Sequence, residues 1–244
     1  MAHPGDGGGI GRRVMLKLSG ELLGGARGVG LDAEGIAAIA AQIAGAREAG
    51  AETAVVLGGG NWLRGSRAPL GLARTAADAI GMLGTIANAI GVCDALESRG
   101  VTARVLSALS VPPLTDLYRP DRGRELLANG VVLLLAGGTG NAYFSTDTAA
   151  ALRALELECT LLVKGTKVDG VFDRDPAAHP GARRFERLTF EEVLARRLGV
   201  MDLTAATLCM ENRLPVVVLN ATAPDSVRRF LETGEAGTLI RASD

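Results

Sequence analysis

Short apolar runs alternate along the chain with longer segments whose apolar residues recur at helical spacing. The runs are rich in valine, leucine and alanine, and several contain no polar position. Such runs are typical of strands that are covered on both faces of a parallel sheet. They predict six strands, at residues 14–18, 53–57, 102–107, 131–136, 161–163 and 216–219.

The segments between these runs predict helices, at residues 32–49, 73–98, 121–129, 145–156, 189–196, 203–212 and 224–232. Asp32 is a candidate N-cap of the first helix, and Thr189 with Glu192 matches a capping box. Strands that alternate with helices predict an α/β fold, a three-layer α/β/α sandwich around a mostly parallel sheet with right-handed crossovers.

The segment 73–98 is crowded with alanine and glycine. Each glycine costs a helix about 1 kcal/mol, so close packing must compensate, either inside the subunit or at a subunit interface. The same segment contains the most membrane-like run of the chain, 76–96, which Asp78, Asn88 and Asp94 interrupt. We therefore expect no membrane-spanning helix.

The chain has 244 residues, of which 48% are hydrophobic, and it shows no internal repeat. We expect a disordered tail at residues 1–11, which lack an apolar stretch of signal-peptide length, and a single domain at 12–244. Within it, an N-terminal lobe would extend to about residue 150, with a C-terminal lobe after it.

Charge and cysteine content exclude several function classes. A net charge of −1 without a basic tract argues against a nucleic-acid-binding protein. Cys93, Cys159 and Cys209 lie far apart, so neither a disulfide framework nor a cysteine-rich zinc site is expected. We expect a cytoplasmic protein.

Three glycine-rich turns each follow a predicted strand, at residues 17–21 (KLSGE), 58–61 (GGGN) and 137–141 (GGTGN). Because the carboxyl ends of parallel strands meet at one edge, we expect these turns to lie together. Each alone is more often a simple tight turn, but three of them beside Lys17 and Arg64 favour a phosphate-rich ligand. No GxxxxGK[ST] motif is present, and no GxGxxG opens the first helix.

Acidic residues follow the third glycine-rich turn and the predicted strand at residues 161–163. Asp147 begins a predicted helix, where it could cap the helix or orient a metal–phosphate group. Residues 164–176 contain two lysines, three aspartates and an Asp169–Gly170 hairpin signal. Two interpretations of these charges are equally good. They could belong to a solvated surface hairpin, or they could act with Mg²⁺ on a transferring phosphoryl group.

In their order, the strings KLSGE, GGGN, AGGTGN, FSTD and KVDGVF resemble those of the bacterial UMP kinases in the amino acid kinase superfamily. The resemblance extends from about residue 12 to residue 240. It implies an amino acid kinase-like fold and phosphoryl transfer from ATP to UMP, giving UDP. It further implies Mg²⁺ held mainly by the nucleotide phosphates, a homohexamer, and UTP and GTP as effectors.

The same resemblance assigns site residues. It gives catalytic roles to Lys17, Arg64 and Asp147. The implied ATP side consists of Lys17, Ser19, Gly20, Gly60, Arg64, Thr166, Phe172 and Asp175. The implied UMP side consists of Gly59, Asp78, Thr139, Gly140, Asn141, Ala142, Tyr143, Phe144, Ser145 and Thr146. The implied GTP loop consists of Gly25, Ala26, Arg27, Gly28, Val29 and Gly30, and Asp202 is implied to lie near the active site.

The chain departs from the family pattern at Leu63, with Trp62 shifted by one position, at Ala79 and at Ala142. Two other interpretations stay open at this point. One is a kinase of the same superfamily that acts on another small phosphate or carboxylate. The other is a nucleotide-binding sensor without catalytic activity.

Overall fold

The structure is a computed structural model, and it describes residues 13–63 and 71–243. The expected tail at residues 1–11 and Arg64 lie outside the described residues. The strands are β1 (Arg13–Leu18), β2 (Glu52–Leu57), β3 (Ala103–Ser107), β4 (Asp116–Leu117), β5 (Val132–Ala136), β6 (Leu161–Thr166), β7 (Arg187–Thr189), β8 (Val216–Asn220) and β9 (Thr238–Arg241). The helices are α1 (Ala33–Glu48), α2 (Arg74–Glu97), α3 (Pro120–Ala128), α4 (Thr146–Glu156), α5 (Phe190–Ala195), α6 (Leu203–Glu211) and α7 (Ser226–Thr233).

In the described part of the chain, all strands join one nine-stranded sheet in the order β4-β3-β5-β2-β1-β6-β8-β9-β7. Every pair of neighbours is parallel except β8 with β9. The prediction of a mostly parallel α/β sheet is confirmed. The short strands β4 and β7 and the antiparallel β9 were not predicted, because none of them is a continuous apolar run.

Two hydrophobic clusters, one on each face of the sheet, make the fold three-layered. Along β1, Val14 and Leu16 join the cluster that includes α1, α2 and α7, whereas Met15 joins the cluster of α3 to α6. This alternation is the two-residue period of a strand that is buried on both faces. The predicted α/β/α sandwich is therefore present.

Local signals set the helix starts as expected. Asp32 caps α1 by accepting hydrogen bonds from the backbone N–H groups of Glu34 and Gly35, at 3.0 and 3.2 Å. Thr189 and Glu192 form both hydrogen bonds of a capping box at α5. These two predictions from sequence are confirmed.

Helix α2 uses its small residues for close packing. Gly84 lies so near Trp62 that a Cβ would come within 2.7 Å of the indole Cδ1 atom. Within the described residues, α2 is also the helix whose length and mean hydropathy of 1.6 would allow a membrane span. Here its buried face packs on α1 and on three strands, while Ile80, Leu83 and Ile90 stay exposed.

Residues 164–176 do not form the hairpin that Asp169–Gly170 signalled. Strand β6 continues to Thr166, and the following loop returns through a single antiparallel bridge between Phe172 and Arg184. Gly170, at φ +148°, lies so close to Thr238 that a Cβ would come within 2.5 Å of its Oγ1. The glycine therefore serves a close backbone approach rather than a two-residue turn.

Candidate active site

The three glycine-rich turns lie together at the carboxyl ends of β1, β2 and β5, as predicted. The Gly58 N–H donates to the Leu18 carbonyl at 2.9 Å, which joins the first two turns. A Cβ on Gly20 would lie 2.1 Å from the Gly58 carbonyl oxygen, so a side chain at this position requires the backbone to move. Gly59 and Gly138 line one cleft, which brings the third turn to the second.

A buried amide network fixes the turn after β2. Asn88 of α2 donates through Nδ2 to the Gly58 carbonyl at 2.7 Å and to Asn61 Oδ1 at 2.8 Å. Its own Oδ1 accepts from Asn61 Nδ2 at 2.9 Å and from Trp62 Nε1 at 2.8 Å. Both asparagines are fully enclosed. Because its polar groups are paired, the hydrogen bonds offset the cost of burying the amides, and the network can hold the loop in one conformation.

A compact charged cluster lies at the end of β1 and β6. Lys17 and Lys164 are register partners on these adjacent parallel strands, so their side chains leave the sheet on the same face. Asp147, the second residue of α4, bridges them. Its Oδ1 lies 2.8 Å from Lys17 Nζ, and its Oδ2 lies 2.6 Å from Lys164 Nζ.

Burial and charge act against each other at these groups. Burial raises the pKa of the Asp147 carboxyl, but the two ammonium groups outweigh it and hold that pKa below its usual 3.8. Burial lowers the pKa of Lys164 below its usual 10.5, and Asp147 restores only part of the loss. Asp147 is therefore an ionised anchor, and Lys164 carries a charge that its surroundings tolerate poorly.

The cluster places two ammonium groups side by side. Two like charges on register partners destabilise a sheet. Asp147 contacts both ammonium groups, and the charge of Asp202 adds a further attraction on Lys164. The N-terminus of α4, which carries Asp147, adds a positive dipole end beside the pair. The arrangement therefore suits a multiply charged anion, such as a polyphosphate, placed against both lysines.

Asp202 connects the cluster to a second helix. It caps α6 by accepting from the Ala205 N–H at 3.0 Å, and it also accepts from the Thr148 hydroxyl at 2.9 Å and from the Ser145 hydroxyl. Ser145 in turn caps α4 by accepting from the Asp147 N–H at 3.0 Å. The N-termini of α4 and α6 thus meet at one carboxylate, which explains the position of Asp202 near the site.

A cleft of about 230 Å³ opens beside the glycine turns. Seven of the ten residues that the resemblance assigned to the UMP side line it, together with Gly60 from the implied ATP side. The seven are Gly59, Asp78, Thr139, Asn141, Phe144, Ser145 and Thr146. Gly140, Ala142 and Tyr143 belong to the same loop but are not part of the lining. The Asp78 carboxylate, within the cleft, is bound by Arg74 and by the Tyr143 N–H.

The implied ATP side is less tightly assembled. Ser19 accepts from the Glu21 N–H at 3.4 Å at the start of a short 3₁₀ turn, and Gly20 follows it. Thr166 ends β6, two residues beyond Lys164, and accepts and donates hydrogen bonds at Val168. Phe172 and Asp175 lie on the loop after β6. The Asp175 carboxylate accepts from the Ala177 N–H at 2.9 Å in that loop.

The implied GTP loop is attached to the turn after β2. Its first residues form a 3₁₀ turn, Gly25–Arg27, and Gly28 follows in the left-handed conformation. At its end, the Gly30 N–H donates to the Asn61 carbonyl at 2.9 Å, and Asn61 Nδ2 donates to the Gly30 carbonyl at 2.7 Å. Any shift of Gly30 therefore acts directly on Asn61, next to Gly60.

Sequence reasoning missed two parts of the site. Lys164 was noted as a charge in its segment but was not assigned to the site, although a lysine inside the run LLVKG was a usable signal. The α2 residues that line the cleft beside Asp78 were also missed: Ala77, Gly81, Met82 and Thr85. The last three lie three, four and seven positions after Asp78, on the same helix face.

No group of three or more histidine, cysteine, aspartate and glutamate side chains lies close enough to hold a metal ion within residues 13–63 and 71–243. The carboxylates nearest the lysines are Asp147 and Asp202, and both are already engaged by hydrogen-bond donors. A donor set of this kind fits a metal ion whose principal ligands come from a bound polyphosphate.

The chain is similar to known proteins over most of its length. Residues 12–220 match the amino acid kinase family. The fold is similar to a UMP kinase of Bacillus anthracis at a TM-score of 0.91 and 32% identity, covering 96% of this chain and 97% of that one. It is also similar to a UMP kinase of Ureaplasma parvum, at a TM-score of 0.88 and 35% identity, over 94% of this chain and 98% of that one. A uridylate kinase of Archaeoglobus fulgidus is similar at a TM-score of 0.70 and 27% identity, over 93% of this chain and 99% of that one.

Proposed function

The chain belongs to the amino acid kinase family, and on that premise we propose that it transfers the terminal phosphoryl group of ATP to UMP. The observation that carries this proposal is the bridging of Lys17 and Lys164 by Asp147 at 2.8 and 2.6 Å beside a cleft of nucleotide size. The close similarity to two bacterial UMP kinases over nearly the full length of each supports the same acceptor.

The acceptor's chemistry explains why this site needs no general base. A phosphate monoester has a second pKa near 6, so at neutral pH UMP arrives mostly as a dianion that attacks without losing a proton. The barrier is the repulsion between two anions. The chain lowers it by positioning both phosphates and by presenting Lys17, Lys164 and the N–H groups of the glycine turns to the transferring group.

The two nucleotides occupy different halves of the chain in this proposal. UMP lies in the cleft between α2 and the loop 138–146, with Asp78 at its ribose. The phosphates of ATP lie against Lys17, Ser19, Gly20 and Gly60, and its adenosine lies near Thr166, Phe172 and Asp175. Arg64 joins the two phosphate groups. The N-terminal half up to about residue 150 thus carries the acceptor, and the remainder carries the ATP nucleoside.

We include Mg²⁺ in the proposal as an ion held mainly by the phosphates of ATP. Such an ion neutralises charge on the phosphoryl group. In this arrangement Asp147 does not serve primarily as a metal ligand. It holds Lys17 and Lys164 at a fixed separation, and Asp202 holds the helix end from which Asp147 projects.

Regulation and assembly follow by analogy. The attachment of Gly30 to Asn61 supports GTP regulation through residues 25–30, and UTP is proposed as an inhibitor that competes for the acceptor cleft. The apolar face of α2 formed by Ile80, Leu83 and Ile90 supports self-association into a homohexamer. The free thiols of Cys93, Cys159 and Cys209 agree with the reducing cytoplasm.

The direct test is a panel of acceptors with ATP and Mg²⁺, followed by ADP release. UMP should be turned over strongly and CMP poorly, because a site that hydrogen-bonds the base edge rejects a base with the reversed pattern. Turnover of a small carboxylate instead would favour the other kinase interpretation. Binding of ATP and UMP without any product would favour a nucleotide sensor.

A further inference from the structure

Arg74 forms an ion pair with Asp78, four residues later on α2, but the basic residue comes first, which is the weaker order for a helix. It is the first residue of α2, and a cation at a helix N-terminus opposes the helix dipole. The preceding Ala73 provides no side-chain cap, and the first turn contains no acidic residue. An unfavourable charge at a helix start, beside a ligand cleft, indicates that the residue serves the cleft rather than the helix.

The Arg74 side chain is bound to Asp78, a residue that lines the acceptor cleft. Its Nε atom lies 2.9 Å from Asp78 Oδ1 and 2.8 Å from Asp78 Oδ2. Its guanidinium carbon also lies over the ring of Tyr143, 5.4 Å from the ring centre. Arg74 therefore contacts Asp78, which lines the cleft on α2, and Tyr143, which belongs to the loop 138–146 but lies outside the lining.

Asp78 is in turn bonded to the backbone of the loop 138–146. Its Oδ2 accepts a hydrogen bond from the Tyr143 N–H at 2.8 Å. Tyr143 has φ +73°, a left-handed conformation that is unfavourable for a non-glycine residue and requires support from its surroundings. The hydrogen bond to Asp78 and the stacked guanidinium provide that support next to Phe144, which lines the cleft.

We propose that Arg74 is a positioning residue of the acceptor site, which fixes the Asp78 carboxylate so that it accepts a hydrogen bond from a ribose hydroxyl of the acceptor. The inference rests on the proposed function, because it takes the acceptor to be a nucleoside monophosphate. Arg74 itself does not touch the reacting atoms. It acts by holding one carboxylate and, through it, the loop that covers the cleft.

The test combines variants with acceptors that lack one hydroxyl. Initial rates are measured with UMP, 2′-deoxy-UMP and 3′-deoxy-UMP for the wild-type protein, Arg74→Ala, Arg74→Lys and Asp78→Ala. We expect Arg74→Ala to raise the KM for UMP about tenfold, the effect of one lost hydrogen bond to a charged group, with kcat and the KM for ATP within about twofold. Arg74→Lys should recover part of the loss.

The deoxy acceptors separate positioning from a general loss of structure. With the analogue that lacks the hydroxyl bound by Asp78, Arg74→Ala should change KM less than about twofold, since the interaction it supports is already absent. The double variant with Asp78→Ala should be no worse than Asp78→Ala alone. Equal KM penalties with all three acceptors, or no penalty with UMP, would overturn the inference.

Arg228→Ala is the matched control. Arg228 also lies in the first turn of a helix, is similarly exposed, and pairs through Nε with a carboxylate four residues later, Glu232, at 2.9 Å. It should leave all three KM values unchanged. If the wild-type protein does not turn over UMP, the proposed function fails and this inference falls with it, whereas a normal wild-type rate with an unaffected Arg74→Ala variant overturns the inference alone.

Discussion

Lys17 is the residue whose removal should cost most catalytically. In the proposed function, its ammonium group is one of two that would face the transferring phosphoryl group, and Asp147 holds it in an ion pair at 2.8 Å. We predict that Lys17→Ala lowers kcat about 100-fold or more, the scale of losing one preorganised donor. In Lys17→Arg the positive charge remains but is spread over a larger guanidinium group, so kcat should fall less. An undiminished rate in Lys17→Ala, with the fold checked by thermal unfolding, would remove this lysine from the mechanism.

The lowered pKa of Lys164 predicts how stability and turnover depend on pH. Because burial lowers its pKa below 10.5, the folded protein releases this proton before the unfolded chain does. As pH rises through that window, Lys164 contributes increasing stability, since the unfolded chain binds more protons there. Turnover should fall in the same window, because the neutral amine no longer compensates phosphate charge.

The pH dependence of kcat tests the predicted fall in turnover. In Lys164→Arg the guanidinium stays protonated, so the alkaline fall in kcat should move to higher pH. Chemical denaturation across the same pH range gives the stability side of the prediction for the wild-type protein. An alkaline limb that is identical in both proteins would show that Lys164 is not the titrating group.

Part of the residue-scale picture was accessible from sequence. Lys17 was singled out because it opens a glycine-rich turn, Asp147 because it lies at the start of a predicted helix, and the family resemblance gave both a catalytic role. Lys164 was not assigned, because its partnership with Lys17 depends on the register of β1 with β6, which no local pattern encodes. Arg74 escaped notice for the same reason, since its contact with Tyr143 joins two segments nearly seventy positions apart in sequence.

At the scale of elements, the ends of α4 and α6 are held together by Asp202. We predict that Asp202→Ala lowers stability by about 1 kcal/mol through the lost cap and also lowers kcat, because Ser145 and Asp147 lose their support. Asp202→Asn should retain more of both, since its amide oxygen can still cap α6. Thermal unfolding and steady-state rates measure the two effects.

Asp32→Ala provides the control for Asp202, because Asp32 caps α1 with two backbone hydrogen bonds but does not contact α4. Asp32→Ala should lose about as much stability as Asp202→Ala, whereas its kcat should stay within about twofold of the wild-type value. If Asp202→Ala proves as active as Asp32→Ala, then Asp202 is only a cap.

Elements with strong local signals were predicted well. The capping box at Thr189 and the cap at Asp32 encode their helices within a few residues. Strand β9 was missed because its pairing with β7 and β8 decides its state, and only the two central residues of its four are apolar. The hairpin expected at Asp169–Gly170 was wrong for a related reason: Gly170 is required by its distance to Thr238, a tertiary contact.

For the molecule as a whole, the apolar face of α2 predicts self-association. Ile80, Leu83 and Ile90 lie at helical spacing and are 41%, 55% and 37% exposed. We predict a particle of six times the 25.1 kDa chain by light scattering, and a smaller one for Leu83→Glu, which buries a charge at that face. Val168→Glu, which alters an exposed apolar residue on the loop after β6, should not change the mass. A wild-type monomer would contradict the prediction.

The layered architecture and the common edge of the glycine turns follow from the alternation of apolar runs and amphipathic segments, so they were predictable as a whole. The cleft was not, because it needs the α2 face of Gly81, Met82 and Thr85 to meet the loop after β5. Its shape is a property of the packed molecule.

The central claim is that Asp147 organises two lysines for phosphoryl transfer to UMP. Single-turnover transfer of labelled γ-phosphate from ATP to UMP, together with equilibrium binding of each nucleotide, tests it in the wild-type protein and in Asp147→Asn. We predict labelled UDP from the wild type, and in the variant a rate about 100-fold lower with both dissociation constants within about threefold. The absence of labelled UDP from the wild type, or an equal loss of binding and transfer in Asp147→Asn, would contradict the account.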